Sequence, residues 1–237
     1  NLRMKGLNNS NRSSAMIIAY HFPPISVSSG VHRMISLANA FSEHHWDVSV
    51  LTANKEIYDR IDEKISKKLS AKIEIHRAKA FNTAKHLSIA GKYLQTMALP
   101  DRLQSWILFS VVKGLVAIHK RRPDFLISTY PIASAHAIGL ILHKITGIPW
   151  IADFRDPMAQ EGYPTNKMQW QSYNWLEKQI ARHARLMVFA TQGCIEEYQT
   201  RFPGRDASGW YLMPNGYDES AYADINVDNA SESPVLR

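Results

Sequence analysis

The chain has 237 residues and a single cysteine, Cys194. An intramolecular disulfide and a CxxC redox pair are therefore excluded, and a reducing, cytosolic setting fits best. Long apolar runs are missing too. The two longest are Trp106 to Ile118, broken by Lys113, and Phe125 to Leu142, broken by Pro131 and His136. Neither supplies the ~20 apolar residues that cross a bilayer. Residues 1–15 are polar and lack the apolar core of a signal peptide. A Walker loop, a GxSxG elbow and an HExxH helix are absent. Helix-turn-helix and ribonucleoprotein signatures are absent as well, so nucleic acid is not an expected partner. His44 and His45 have no third ligand nearby in sequence, and no metal is expected.

What is present is ordinary for a globular protein: 45% apolar and 21% charged residues, enough for one large domain or two small ones. The net charge of +7 suits phosphorylated ligands or an anionic membrane surface, and equally a generic solvated surface.

The apolar pattern alternates between strand and helix. Met16 to Tyr20 reads as a buried first strand, followed by a helix in which Val31, Met34, Ile35, Ala38 and Phe41 recur at helical spacing. Further strands are expected at 47–52, 72–76, 125–128, 150–152, 186–190 and 210–213. Helices are expected at 56–71, 101–120 (capped by Asp101), 132–146 (ended by Gly147), 166–185 and 192–201 (capped by Thr191). Such alternation predicts a doubly wound, mostly parallel, Rossmann-like α/β domain over residues 16–222. Residues 1–15 read as a polar tail, and 223–237, which include "ADINVDNASESP", as a linker.

Ligands of such sheets sit at the carboxyl ends of the strands, and four segments fall there. In "FPPISVSSGVHR", Ser28, Ser29 and Gly30 lead into a helix N-terminus that could hold an anion, with Arg33 in reach of a phosphate; a plain strand-to-helix turn reads equally from the residues. "STYP" brings Tyr130, and His136 lies in the helix that follows, facing the cleft or merely capping. "DFRDP" places Asp153 and Asp156 around Arg155, either as a group that orients or deprotonates a hydroxyl or as an ionic clasp. "PNGYD" puts Asn215 in a turn at the sheet edge.

Taken in order, "YHFPP…SSGVHRMISLANAF", "WDVSVLT", "LPDRLQSW", "DFLISTYPIASAHAIGLIL", "GIPWIADFRDP" and "PNGYD" resemble the N-terminal domain of family 4 glycosyltransferases, enzymes of the GT-B fold. The resemblance implies one half of a two-domain architecture. It implies transfer of a sugar from a nucleotide-sugar donor to a glycan or lipid-linked acceptor, with retention and without a cofactor or essential metal. It places Gly30 and its neighbours against the donor phosphates or the acceptor, and His136, Asp153, Arg155 and Asp156 on the acceptor side. Asp156 is the expected cleft-facing carboxylate. Asp156 and His136 are the catalytic candidates; Ser28, Ser29, Gly30, Arg33, Tyr130, Asp153, Arg155 and Asn215 are the substrate-binding candidates. The loop carries one glycine where the family often has several, and the family's signature of two Glu residues with seven residues between them is absent. That pair belongs to the C-terminal, donor-holding domain. The chain alone is therefore expected to be inactive. The expected setting is cytoplasmic polysaccharide or lipid-linked glycan assembly, peripheral to the inner membrane face. A sugar-nucleotide epimerase of the same fold and a non-catalytic glycan- or lipid-binding module are the alternatives.

Overall fold

The computed structural model describes residues 12–26, 29–83 and 98–215. Seven strands form one sheet: β1 (Ser14–Ile18), β2 (Asp47–Ala53), β3 (Glu74–Ala78), β4 (Phe125–Thr129), β5 (Trp150–Arg155), β6 (Leu186–Phe189) and β7 (Trp210–Leu212). Their spatial order is β3-β2-β1-β4-β5-β6-β7, and every pairing is parallel. Among the described residues, six helices lie between them: α1 (Ser29–Glu43), α2 (Glu63–Ser66), α3 (Gln104–Lys120), α4 (Ala133–Thr146), α5 (Lys167–His183) and α6 (Gln192–Arg201). The expected Rossmann-like α/β class is the observed one.

Strand β1 shows why both faces need cover. Met16 and Ile18 enter one core, with Leu51, Trp106, Leu126 and Leu142, while Ala15 and Ile17 enter another, with Met34, Ala38, Val48 and Val50. A strand buried on both sides reads as a continuous apolar run, as this one does. Helix α4 lies unusually close to the sheet. A Cβ added at Gly139 would come within 2.5 Å of Trp150 Nε1, the atom that donates to Ser128 Oγ at 2.8 Å. Its C-terminus closes on Gly147 with φ of 68°, the left-handed stop the sequence calls for.

The long helix expected over 56–71 is not formed. Only a turn at Lys55–Ile57 and the short α2 appear there. Ile61 bridges Ile25, and the Asp62 backbone N–H donates to the Pro24 carbonyl at 2.7 Å. The segment is held extended against the FPPI loop, and Asp62 then caps a fresh start by accepting from Lys64 N–H. Tertiary pairing overrides the local helical tendency of this charged segment. Strand β3 lies two residues later than expected, and α3 begins at Gln104 rather than Asp101. Asp101 does act as a cap, but chiefly for α4: its carboxylate accepts from Ser134 N–H at 2.7 Å and Ser134 Oγ at 2.8 Å, as well as from Leu103 N–H. Ile132, at the N-cap of α4, has no side chain able to do so.

Candidate functional site

Strand order reverses between β1 and β4, where the connections leave toward opposite sides of the sheet. That switch point opens a crevice at the carboxyl ends of the strands. A shallow notch there is lined by His21 after β1, Gly30 at the start of α1, Tyr130 after β4 and Arg155 at the end of β5. The FPPI loop is braced from outside: Phe22 is fully buried, and Arg77 Nη2 donates to the Pro23 carbonyl at 2.7 Å. Ser28 lies outside the described residues, and Ser29 opens α1. Gly30 is buried at the N-terminus of α1, the end of the helix whose dipole favours an anion.

Arg33 does not offer its guanidinium to a phosphate. It turns onto Asp153, with Nη2 to Oδ1 at 3.1 Å and Nε to Oδ2 at 3.4 Å. Nη1 donates to the Pro214 carbonyl and to Asn215 Oδ1, each at 3.2 Å, and Nη2 also reaches the Met213 carbonyl at 3.1 Å. All five N–H donors of the fork are thereby engaged. Asp153 is 1% exposed and also accepts from Thr129 Oγ1 at 3.1 Å. The ionic clasp of the DFRDP segment is thus Arg33–Asp153, not Arg155 with its sequence neighbours. It ties α1, β5 and the segment after β7 together beneath the crevice.

Arg155 and Asp156 remain at the opening. The register of β5 against β6 shifts between Asp153 and Arg155, and Arg155 adopts φ of 62°, left-handed backbone that is costly for a side-chain-bearing residue. Arg155 is half-buried, has no carboxylate in ion-pair reach among the described residues, and its buried Nε has no acceptor. Burial, reinforced by the Arg155 charge, lowers the pKa of His21 to about 4, so His21 is neutral. Asp156 is exposed, so it is the accessible carboxylate of the pair. Tyr130 is half-buried on the same wall, and burial raises its pKa to about 12.

His136 lies behind the wall rather than on it. It is fully buried, Nδ1 sits 2.7 Å from Ser128 Oγ, and its ring packs on Phe154 and Tyr130. Burial drives its pKa down to about 3, leaving a neutral core imidazole that cannot touch a substrate in this arrangement. The expectation of a cleft-facing base fails because His136 points inward from α4 onto β4 and β5.

Two supporting carboxylates were not singled out from sequence as site residues. Asp101, described above, fixes the start of α4. Glu177, on α5, is wholly buried and accepts from the Met158 and Ala159 backbone N–H groups at 3.1 and 2.9 Å, from the Tyr198 hydroxyl, and from Arg201. It holds the chain after DFRDP in place. Burial pushes the Glu177 carboxyl up, opposed by Arg201 and these donors. In sequence Asp101 reads only as a helix cap and Glu177 as an ordinary helix acid, so no local signal marks either as a support of the site.

The sequence model of the glycosyl transferase 4-like domain matches residues 30–216, well over half the chain. The chain belongs to this family. No curated protein sequence matches significantly. Among solved structures, this glycosyl transferase 4-like domain resembles sucrose-phosphate synthase from Thermosynechococcus elongatus, with a TM-score of 0.62, 15% identity, and 88% of this chain covering 49% of that one. It also resembles Anabaena HepE in complex with UDP-glucose (TM-score 0.54, 16% identity, 88% and 45% covered). A putative UDP-N-acetylglucosamine 2-epimerase from Listeria monocytogenes is similar too (TM-score 0.53, 11% identity, 85% and 45% covered). These likenesses establish a shared fold, and the chain spans about half the length of each of these proteins. A cavity of about 1230 Å³ lies at the opposite, amino end of the strands, away from the switch-point crevice.

Proposed function

We propose that the chain is the acceptor-side half of a glycosyltransferase that moves a sugar, with retention and without a metal, from a nucleotide-sugar to a glycan or lipid-linked acceptor. The observation that carries this reading is the family match over a crevice whose floor is the Arg33–Asp153 clasp and whose rim offers Arg155 and Asp156. In this reading Arg155 and the N-terminus of α1 at Gly30 face the donor phosphates. Asp156 orients or deprotonates the acceptor hydroxyl, beside Tyr130. Arg33, Asp153 and Asn215 act through position, as the clasp that keeps the crevice floor fixed. Ser28 and Ser29, which precede Gly30 in sequence, are further substrate-binding candidates in this reading. A second domain, reached through residues 223–237, holds most of the donor, and the chain alone transfers little or no sugar. The structural likeness to a protein crystallised with UDP-glucose supports a nucleotide-sugar donor.

The setting is the cytoplasmic assembly of surface polysaccharide or lipid-linked glycan at an anionic membrane. No described helix is long and apolar enough to cross a membrane. What supports a peripheral contact is α3, where Leu108, Val112 and Val116 form an exposed apolar stripe next to Lys113 and Lys120. An epimerase of the same fold is the second reading, favoured only by the likeness to the Listeria protein.

A transfer assay on the full-length protein tests the proposal, with a panel of nucleotide-sugars offered together with glycan and lipid-linked acceptors. Acceptor-dependent product from the longer protein, with none from residues 1–237, is the expected result. Acceptor-independent interconversion of sugar-nucleotides would establish the epimerase instead. Failure of every donor to react with, or to thermally stabilise, the longer protein would overturn both.

A further inference from the structure

The cavity at the amino ends of β4 to β7 has a character of its own. Its volume, about 1230 Å³, exceeds the usual range of small-molecule pockets. Its rim gathers Lys178, Arg182 and His183 from α5, Arg185 from the turn into β6, and His143 from α4. Asp206 is the single carboxylate among its described lining residues, and Asp206 is taken up by the Ser208 N–H and hydroxyl. Among the described residues, Lys178, Arg182 and Arg185 have no carboxylate within ion-pair distance. A solvated protein face normally intersperses both signs. Here one sign converges on a concavity, where low-dielectric walls focus the field.

The two other cations on this wall are committed elsewhere. Arg201 pairs with Glu177, and Arg205 donates to the carbonyls of Ala181, Ala184, Arg185 and Gly209. Arg205 thereby holds together the end of α5 and the turn that carries Arg185. Its buried Nε has no acceptor. His143 is oriented by a 2.7 Å contact between Nδ1 and the Ile148 carbonyl, and its ring lies 6.2 Å from that of His183. Burial, and after it the like charges of Lys144, His143 and Arg182, disfavour the protonated form of His183. A bound anion would relieve that repulsion. Half-buried Phe125, Leu186 and Phe202 supply apolar wall behind the cations.

We propose that this cavity is a second binding site, separate from the switch-point crevice, for a phosphate-bearing small molecule held by Lys178, Arg182 and Arg185. The inference does not depend on the reaction assigned to the crevice, because it rests on the opposite end of the sheet. The phosphate chemistry could come from inorganic pyrophosphate or from a nucleoside diphosphate. The apolar wall favours the latter, whose base would cover Phe125, Leu186 or Phe202.

Isothermal titration of the 237-residue chain with inorganic pyrophosphate, and separately with uridine diphosphate, tests this at low salt. Lys178 and Arg182 are both exposed, so K178A/R182A is expected to fold normally, which circular dichroism checks. The expected result is binding of at least one probe that K178A/R182A weakens by tenfold or more and Arg155→Ala leaves unchanged. Tighter binding of uridine diphosphate identifies the nucleotide as the better ligand, and tighter binding of pyrophosphate identifies the bare anion; either upholds the site. Shifts of the His143 and His183 ring protons on titration would locate the ligand independently. Binding that survives K178A/R182A but is lost in Arg155→Ala, or no binding of either probe to the unsubstituted chain, overturns the proposal.

Discussion

The guanidinium of Arg33 and the carboxylate of Asp153 form a two-point ion pair, 3.1 and 3.4 Å, with Asp153 1% exposed and the Arg33 side chain 10% exposed. The two residues are 120 positions apart in sequence, and each comes from a different element of the crevice. A buried carboxylate left without its cation is more costly than the pair is stabilising. Arg33→Met should therefore cost about 3–5 kcal/mol of unfolding free energy. The double substitution with Asp153→Asn should recover a substantial part of that loss. Urea denaturation of the two single variants and the double measures the coupling. A single-variant loss under about 1 kcal/mol would place this pair with exposed salt bridges instead.

Glu177 should control the order of the segment after DFRDP. Replacing it by Gln keeps an acceptor for the Met158 and Ala159 N–H groups but removes the charge that Arg201 and the Tyr198 hydroxyl bind. The loss of charge-assisted hydrogen bonds predicts about 1.5–3 kcal/mol of destabilisation. Hydrogen exchange should quicken at Met158 and Ala159 well before it does at Ile17 or Val50 in the sheet centre. Uniform acceleration across all four amides would instead mean that Glu177 supports only global stability.

The fold was readable because each strand announces itself as a short apolar run between helical periodicities, and the DFRDP and STYP segments follow such runs directly. The pairing inside the site was not readable. Arg33 carries the same signal whether it binds a phosphate or a buried Asp, and only the fold brings Asp153 within 3.1 Å of it. His136 misleads for a related reason. Only about two residues, half a helical turn, separate opposite faces of a helix, and the sequence around it, "IASAHAIG", is largely apolar on both. Residues 56–71 fail as a helix because their partner, the FPPI loop, lies more than 30 positions upstream of much of the segment.

Two buried histidines should make the protein sensitive to mild acid. His136 and His21 have pKa values lowered to about 3 and about 4, against about 6.5 when unfolded. Both groups are neutral in both states above pH 6.5, so their contribution to stability is complete there. As pH falls below 6.5 the unfolded chain takes up protons that the folded one refuses, and stability is lost progressively toward the folded values. For His136 the expected slope is about 1.4 kcal/mol per pH unit. Asp101 and Glu177, both pushed upward by burial, act in the opposite sense, since they favour the folded state as they protonate. The comparison must therefore be between variants: His136→Phe should flatten the dependence between pH 6.5 and 4.5 by that slope. Parallel curves for the two proteins would show that His136 titrates normally in the folded state.

Arg155 combines the side chain proposed to meet the donor with a strained backbone, and the two can be separated. Arg155→Gly and Arg155→Ala both remove the guanidinium, but only glycine accepts φ of 62° without penalty. The left-handed conformation costs a non-glycine residue about 1–2 kcal/mol, partly offset by the extra freedom glycine gives the unfolded chain. Arg155→Gly should thus be more stable than Arg155→Ala by about 1 kcal/mol in urea denaturation. Both variants, placed in the full-length protein, should lose sugar transfer to the same extent if the guanidinium meets the donor phosphates. If Arg155→Gly were more stable and yet kept its activity, the β5 bulge would be no more than a fold irregularity. If Arg155→Ala were the more stable of the two, the left-handed backbone would not be the resting conformation of this residue.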